Sequence, residues 1–308
     1  MTLPSFAALR TGLLRLLPLA AALACASSTP PPREFDGQRA FAYARTQLAF
    51  GPRIPGAPGH ERMGDWLDST LRRSADTLVV QAWDHTTLDG KKLHLRNFLA
   101  RFRPAAQKRV LLFAHWDTRP HADGPGSTDS SAAVPGADDG ASGVAVLLGI
   151  ADVLKAKAPE VGVDLLFVDG EDYGSFEDPG RPDVLIGARY YADHPVPPLP
   201  AWAVLLDMIG DRTLQIPQEG YSVSAAPEVV DKIWAAAARL GRTANFVGPG
   251  QAMIDDHLEF HRIGIKAVDL IDFDYPWWHT KDDTLDKISV ESLQTVGDVM
   301  VLVIRGER

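Results

Sequence analysis

Leu165-Leu166-Phe167-Val168-Asp169-Gly170-Glu171-Asp172-Tyr173-Gly174 is the stretch on which the reading of the fold turns. An apolar run of strand character stops abruptly at Asp169-Gly170, and two adjacent carboxylates, Glu171 and Asp172, follow at once. Neighbouring side chains at a strand end point in different directions, so such a pair can serve two adjoining tasks. One carboxylate could hold a metal while the other handles protons. From this stretch alone, a solvated acidic turn after a buried strand reads equally well. What decides is whether other ligands fall at other strand ends.

They do. Residues 110–114 form a short, continuous apolar strand of the kind buried on both faces, and it delivers His115-Trp116-Asp117. Residues 201–206 form another and deliver Asp207. Strands are also predicted at 77–83, 97–102, 161–168 and 267–271, with Asp89-Gly90 a turn between the first two. Helical spacing marks a segment capped by Asp36 that carries Phe41, Ala44 and Leu48, and further helices at 59–74, 144–154, 186–193, 227–240, 255–262 and 289–304. Strands alternating with helices imply one α/β domain with a largely parallel sheet covered on both faces. No repeat and no second domain is visible. In such sheets the site lies at the carboxyl ends of the strands. The long polar loop 118–137 borders that end, and a loop of that length is usually functional or mobile.

The chain has 308 residues, 45% hydrophobic and 23% charged, which is ample for one large core. A net charge of -9 with no Lys/Arg cluster argues against nucleic acid as a partner. Residues 1–25 read as a signal peptide: Arg10 and Arg15 precede an apolar run, 16–24, too short to span a membrane. Cys25, the only cysteine, follows that run directly and resembles a bacterial lipoprotein processing site. Residues 26–35, rich in Ser, Thr and Pro, read as a flexible linker, and 36–308 as the catalytic domain. The expected product is an exported monomer, periplasmic or membrane-anchored, with any membrane contact made through lipid at Cys25.

His115, Asp139, Glu171, Asp172, Asp207 and His279 make up the offering of the strand ends and their loops. Imidazole and carboxylates without thiolate suit a catalytic zinc, which takes three protein ligands and leaves one position open. The groups suffice for one such ion with spare carboxylates, or for two ions sharing a bridging aspartate. Calcium fits less well because histidine is a poor ligand for it. A serine nucleophile at Ser142 lacks the second glycine of the elbow pattern.

The order His-x-Asp, Ala-Asp-Asp-x-Ala-Ser-Gly, Glu-Asp, Leu-Asp-Met and a late His resembles the zinc aminopeptidase superfamily. Phe167-Val-Asp-Gly-Glu171-Asp172, Asp255-Asp256-His257 and Trp278-His279-Thr280 followed by Asp282-Asp283 are closer to its glutaminyl-peptide cyclotransferases. The similarity spans roughly residues 95 to 305. It implies a three-layer α/β/α sandwich around a mostly parallel mixed sheet, and peptides with amino-terminal glutamine as substrates. By position it implies Asp139, Asp172 and His279 as ligands of one Zn2+ and Glu171 as the proton shuttle. Asp207 and Asp255 would complete the hydrogen-bond network, and Trp278 would shape the substrate pocket. Two departures stand out: the animal enzymes usually carry glutamate where Asp172 stands, and Ile254 replaces a common glutamine. No tryptophan follows Glu171 closely, so Phe176 is expected to wall the pocket instead. Trp277 and Tyr275 are expected to join Trp278 in excluding water. The alternative is a di-zinc aminopeptidase, which adds His115 and Asp207 to the ligand set. A non-catalytic binding domain is disfavoured by the complete ligand set and the intact Glu171.

Overall fold

Asp36 opens the first helix as its position predicts. Its carboxylate accepts the Arg39 N–H at 3.0 Å, and α1 runs over Gly37–Leu48. The computed structural model describes residues 1–2, 33–178 and 180–308. After α1 come α2 (Pro58–Ser74), the hairpin strands β1 (Thr77–Thr86) and β2 (Lys92–Phe102), β3 (Arg109–His115), α3 (Ala141–Ala156), β4 (Gly162–Val168) and α4 (Ile186–Asp193). Then follow β5 (Trp202–Asp207), β6 (Ile216–Gln218), α5 (Gly220–Ala225), α6 (Pro227–Arg239), β7 (Phe246–Pro249), α7 (His257–Arg262), β8 (Lys266–Ile271) and α8 (Val290–Gly306).

Six strands form one sheet in the order β1-β2-β4-β3-β5-β8. The β1–β2 and β2–β4 pairs are antiparallel, and β4–β3, β3–β5 and β5–β8 are parallel. Successive strand residues point to opposite faces. Val110, Leu112 and Ala114 of β3 therefore enter one core, and Leu111 and Phe113 the other. β4 repeats this with Val163, Leu165 and Phe167 against Leu166 and Val168. Burial of both faces is why these runs are apolar without interruption. Asp164 is the exception inside β4; it stays buried because Arg109 and Arg101 grip it at 2.7 and 3.1 Å. One layer, with α1, α3, α6 and α8, covers the larger core, and α4 and α7 lie over the smaller. The result is the expected three-layer α/β/α sandwich. Helix α3 packs so tightly on β5 that a Cβ at Gly143 would stand 2.0 Å from the Leu206 carbonyl oxygen.

Two expectations change. The small parallel pair β6–β7 and the short helix α5 are additional to the predicted elements. The predicted linker 26–35 ends sooner than expected, because Phe35 is 4% exposed and wedged against α3 and α8. A Cβ at Gly149 or Gly297 would come within 2.5 or 2.4 Å of its ring. Glu34 also pairs with Arg305 at 2.7 Å, so the folded unit starts at about residue 34. Cys25 and nearly all of the predicted signal segment lie outside the described residues. Among the described residues, no helix is long and apolar enough to cross a membrane.

Candidate active site

β3, β4, β5 and β8 run parallel, so their carboxyl ends share one edge of the sheet. His115 and Asp207 are the last residues of β3 and β5, and Glu171 and Asp172 follow β4 after Asp169-Gly170. Asp139 comes from the turn that leads into α3, and His279 from the loop between β8 and α8. All six are buried.

A short polar scaffold aims them. Asp117, fully buried, accepts the Glu171 N–H on Oδ1 (3.1 Å) and the Asp172 N–H on Oδ2 (3.2 Å). Asp283 does the same for the N–H groups of Asp138 and Asp139 at 2.9 and 3.2 Å, and accepts the Tyr275 hydroxyl at 2.6 Å. Gly140 must be glycine: its φ is +54°, and a Cβ would lie 2.7 Å from the His115 ring. Met208, next to Asp207, and His279 hold φ values of 45° and 53° without being glycine. Such strain persists where surrounding contacts over-determine it, and active sites are a common place for it.

Asp139, Asp172 and His279 offer ligand atoms that all lie within 4.8 Å of one another. Ligands about 2.0–2.1 Å from a tetrahedral zinc stand about 3.4 Å apart. His279 Nε2 is 3.5 Å from Asp139 Oδ2 and 3.2 Å from Asp172 Oδ1. Among the described residues, Asp139 Oδ2 and Asp172 Oδ2 are buried with no hydrogen-bond partner, a costly arrangement unless a cation meets them. The residues therefore fit a zinc ion. Burial works against the His279 imidazolium, yet Asp172, Asp123 and Asp139 push its pKa up to about 10. The field that draws a proton there is the field that would hold a divalent cation.

His115, Asp139 and Asp207 form a second convergent group. His115 Nε2 is 3.1 Å from both carboxylates, a distance that suits either a hydrogen bond or a shared coordination edge. Burial opposes its protonation, but Asp117, Asp139 and Asp207 hold its pKa well above the ordinary value. Glu171 lies 3.9 Å from His115 Nδ1. Burial, and then the charge of Asp172, raise the Glu171 pKa well above the usual carboxylate range. Asp255 is raised likewise by burial and then by Asp269 and Asp207.

A cavity of about 560 Å³ opens over these groups, walled by Phe176, Met253, Ile254, Phe273 and Trp278. Trp278 stacks on His279 with ring centres 3.9 Å apart. Ile254 and Phe176 line it, and Asp207 and Asp255 reach it. Trp277 and Tyr275 do not line it. Trp277 is 37% exposed, and Tyr275 is turned inward onto Asp283 because its hydroxyl needs a buried acceptor. Arg119 and Asp123 line the cavity although neither stood out in the sequence. They sit in the irregular loop 118–137, where no periodicity marks a side chain as inward.

Residues 97–304 match peptidase family M28. A glutaminyl-peptide cyclotransferase of Drosophila melanogaster is 28% identical over 284 residues, covering 82% of this chain and 75% of that protein. Among solved structures, a Tannerella forsythia glutaminyl cyclase is similar with a TM-score of 0.84 at 39% identity, covering 89% of this chain and 99% of that one. A leucine aminopeptidase precursor from Bacteroides thetaiotaomicron is similar with a TM-score of 0.86 at 36% identity, covering 90% and 99%.

Proposed function

The chain belongs to peptidase family M28, and on that premise we propose that it is a glutaminyl-peptide cyclotransferase. It would convert the amino-terminal glutamine of peptides to pyroglutamate with release of ammonia. The observation that carries this reading is the similarity to a bacterial glutaminyl cyclase over 99% of that chain at 39% identity. The site agrees with it. Besides the metal-fitting triad, three carboxylates, Glu171, Asp207 and Asp255, border one cavity. Activation of a water for hydrolysis needs only one of them.

In the reaction, the substrate α-amine attacks its own side-chain amide carbon. A C–N bond forms to close the ring, and the C–N bond to the amide nitrogen breaks. A zinc held by Asp139, Asp172 and His279 would supply Lewis acidity toward the amide oxygen. Glu171 takes the proton lost by the amine and returns it to the leaving nitrogen, first as base and then as acid. Asp207 and Asp255 hydrogen-bond the departing nitrogen. Trp278 and Phe176 position the glutamine side chain, with Ile254 at the cavity rim, and their apolar surfaces keep out the water that would turn cyclisation into hydrolysis.

A second reading, a di-zinc aminopeptidase, is favoured by the group His115, Asp139 and Asp207. Incubating a Gln-initiated peptide with the protein and analysing it by mass spectrometry separates the two. Loss of ammonia from the intact peptide supports cyclisation, and a released amino-terminal residue supports the peptidase. We also infer that residues 1–25 export the chain, that Cys25 is its lipid attachment, and that it acts as a monomer on one zinc. Acyl-chain labelling abolished by Cys25→Ser checks the anchor.

A further inference from the structure

We propose that Arg119 and Asp123 form a positioning clamp that joins two of the zinc ligands. The inference rests on the reading of Asp139, Asp172 and His279 as a zinc site, and extends it to residues outside the triad. Arg119 is 7% exposed, and all three of its guanidinium nitrogens donate hydrogen bonds. Nη1 donates to Asp172 at both Oδ1 (3.1 Å) and the main-chain oxygen (3.2 Å), and to the Gly174 carbonyl. Nε and Nη2 donate to the two oxygens of Asp123 at 3.0 and 2.6 Å, the planar fork-to-fork geometry that arginine favours. Asp123 in turn places Oδ1 3.4 Å from His279 Nδ1, on the far side of the ring from the metal-facing Nε2. His279 Nε2 lies 3.2 Å from Asp172 Oδ1, which closes the circuit.

Each link has a physical consequence. A carboxylate on the distal nitrogen of a metal-binding histidine fixes the tautomer and ring orientation and raises ligand basicity. Asp123 is placed to do this for His279. Asp172 carries one methylene fewer than glutamate, so its carboxylate has less reach and depends on being aimed. Arg119 grips its main chain and its Oδ1, and Asp172 Oδ2 has no hydrogen-bond partner among the described residues. A lone guanidinium there would repel a dication, but the bidentate Asp123 carboxylate balances its charge. The pair is therefore close to neutral and acts through geometry. It also ties two loops, those after β4 and before α8, to the polar loop 118–137.

The test measures zinc affinity of the full chain by competition with a chromophoric chelator, for wild type, Arg119→Gln, Asp123→Asn and the double variant. Metal-free thermal midpoints serve as a folding control. Asp123 lies at the cavity rim with 44% of its side chain exposed, so its variant should fold even if the arginine variant does not. Each single substitution should weaken zinc binding by roughly 10–100-fold. Because the two residues act through one circuit, the double variant should lose about as much as the worse single one. Arg119→Lys, which cannot reproduce the fork, should not restore affinity. Affinities within about twofold of wild type, or losses in the double variant that simply multiply, would overturn the clamp. Failure of the wild-type chain to bind zinc tightly would instead overturn the metal reading beneath it.

Discussion

Asp117→Asn isolates the scaffold beneath the catalytic pair without changing its shape. Asp117 is fully buried, and its two oxygens receive the N–H groups of Glu171 and Asp172 at 3.1 and 3.2 Å. Asparagine keeps one acceptor and turns the other into an amide donor facing a backbone donor. A hydrogen bond to a charged group contributes about 1.5–3 kcal/mol, and a buried polar group left unsatisfied costs about 1–3 kcal/mol. Together these predict a stability loss of about 2.5–6 kcal/mol. The turn must also shift to relieve the donor–donor contact. Misplacing a catalytic group by ~1 Å can cost on the order of 100-fold in rate. The expected outcome is kcat for ammonia release from a Gln-initiated peptide reduced by about two orders of magnitude, KM little changed, and a lower denaturant midpoint by circular dichroism. A variant with wild-type kcat and midpoint would refute the assignment of Asp117 as the support of Glu171 and Asp172.

Other consequences can be checked more briefly. Phe35→Ala empties the wedge between Gly149 and Gly297 and should cost ~3–5 kcal/mol in a denaturation curve; an unchanged midpoint would return Phe35 to the linker. Gly143→Ala drives a methyl group into the Leu206 carbonyl and should destabilise by about 3 kcal/mol, visible as a lowered thermal midpoint. Burial, and then Asp139, push the Asp283 pKa up to about 7. Its proton is thus kept in the folded chain after the unfolded chain has released it. The associated stability is full below the ordinary carboxylate pKa of about 3.9 and fades as pH rises to about 7. Metal-free protein should therefore lose stability across that window, and Asp283→Asn should flatten part of the decline. An identical slope in the variant would contradict this.

Much of this architecture was legible because burial leaves marks on the sequence. The strands β3, β4 and β5 are sandwiched between two cores, so their runs are continuously apolar and end abruptly where polar residues begin. Those ends held His115, Glu171, Asp172 and Asp207. Asp36 likewise announces a helix through capping chemistry, and Ser289 is found to cap α8 by accepting from the Ser292 N–H. What escaped was structure fixed by distant partners. β6 and β7 are three and four residues long, contain Pro217 and Pro249, and exist because each pairs with the other. α5 begins at a glycine and is held by the Glu219 side chain, which accepts from Tyr221 and Ser222. Phe35 looks like the end of a linker until α3 and α8 present glycines to receive it. Arg119 sits in an aperiodic loop, and its partner Asp172 lies 53 residues away. Tyr275, expected to exclude water beside Trp278, instead turns to Asp283, which supplies the buried acceptor that its hydroxyl requires.

The most direct test of the central claim follows a Gln-initiated peptide by mass spectrometry and ammonia assay, with wild type and Glu171→Gln compared at equal measured zinc content. Wild type should yield one ammonia per peptide and an otherwise intact pyroglutamyl product. Glu171→Gln should retain its zinc and lose cyclisation by several orders of magnitude, since the proton shuttle is gone. Release of free glutamine by the wild-type chain, or undiminished cyclisation by the variant, would contradict the account.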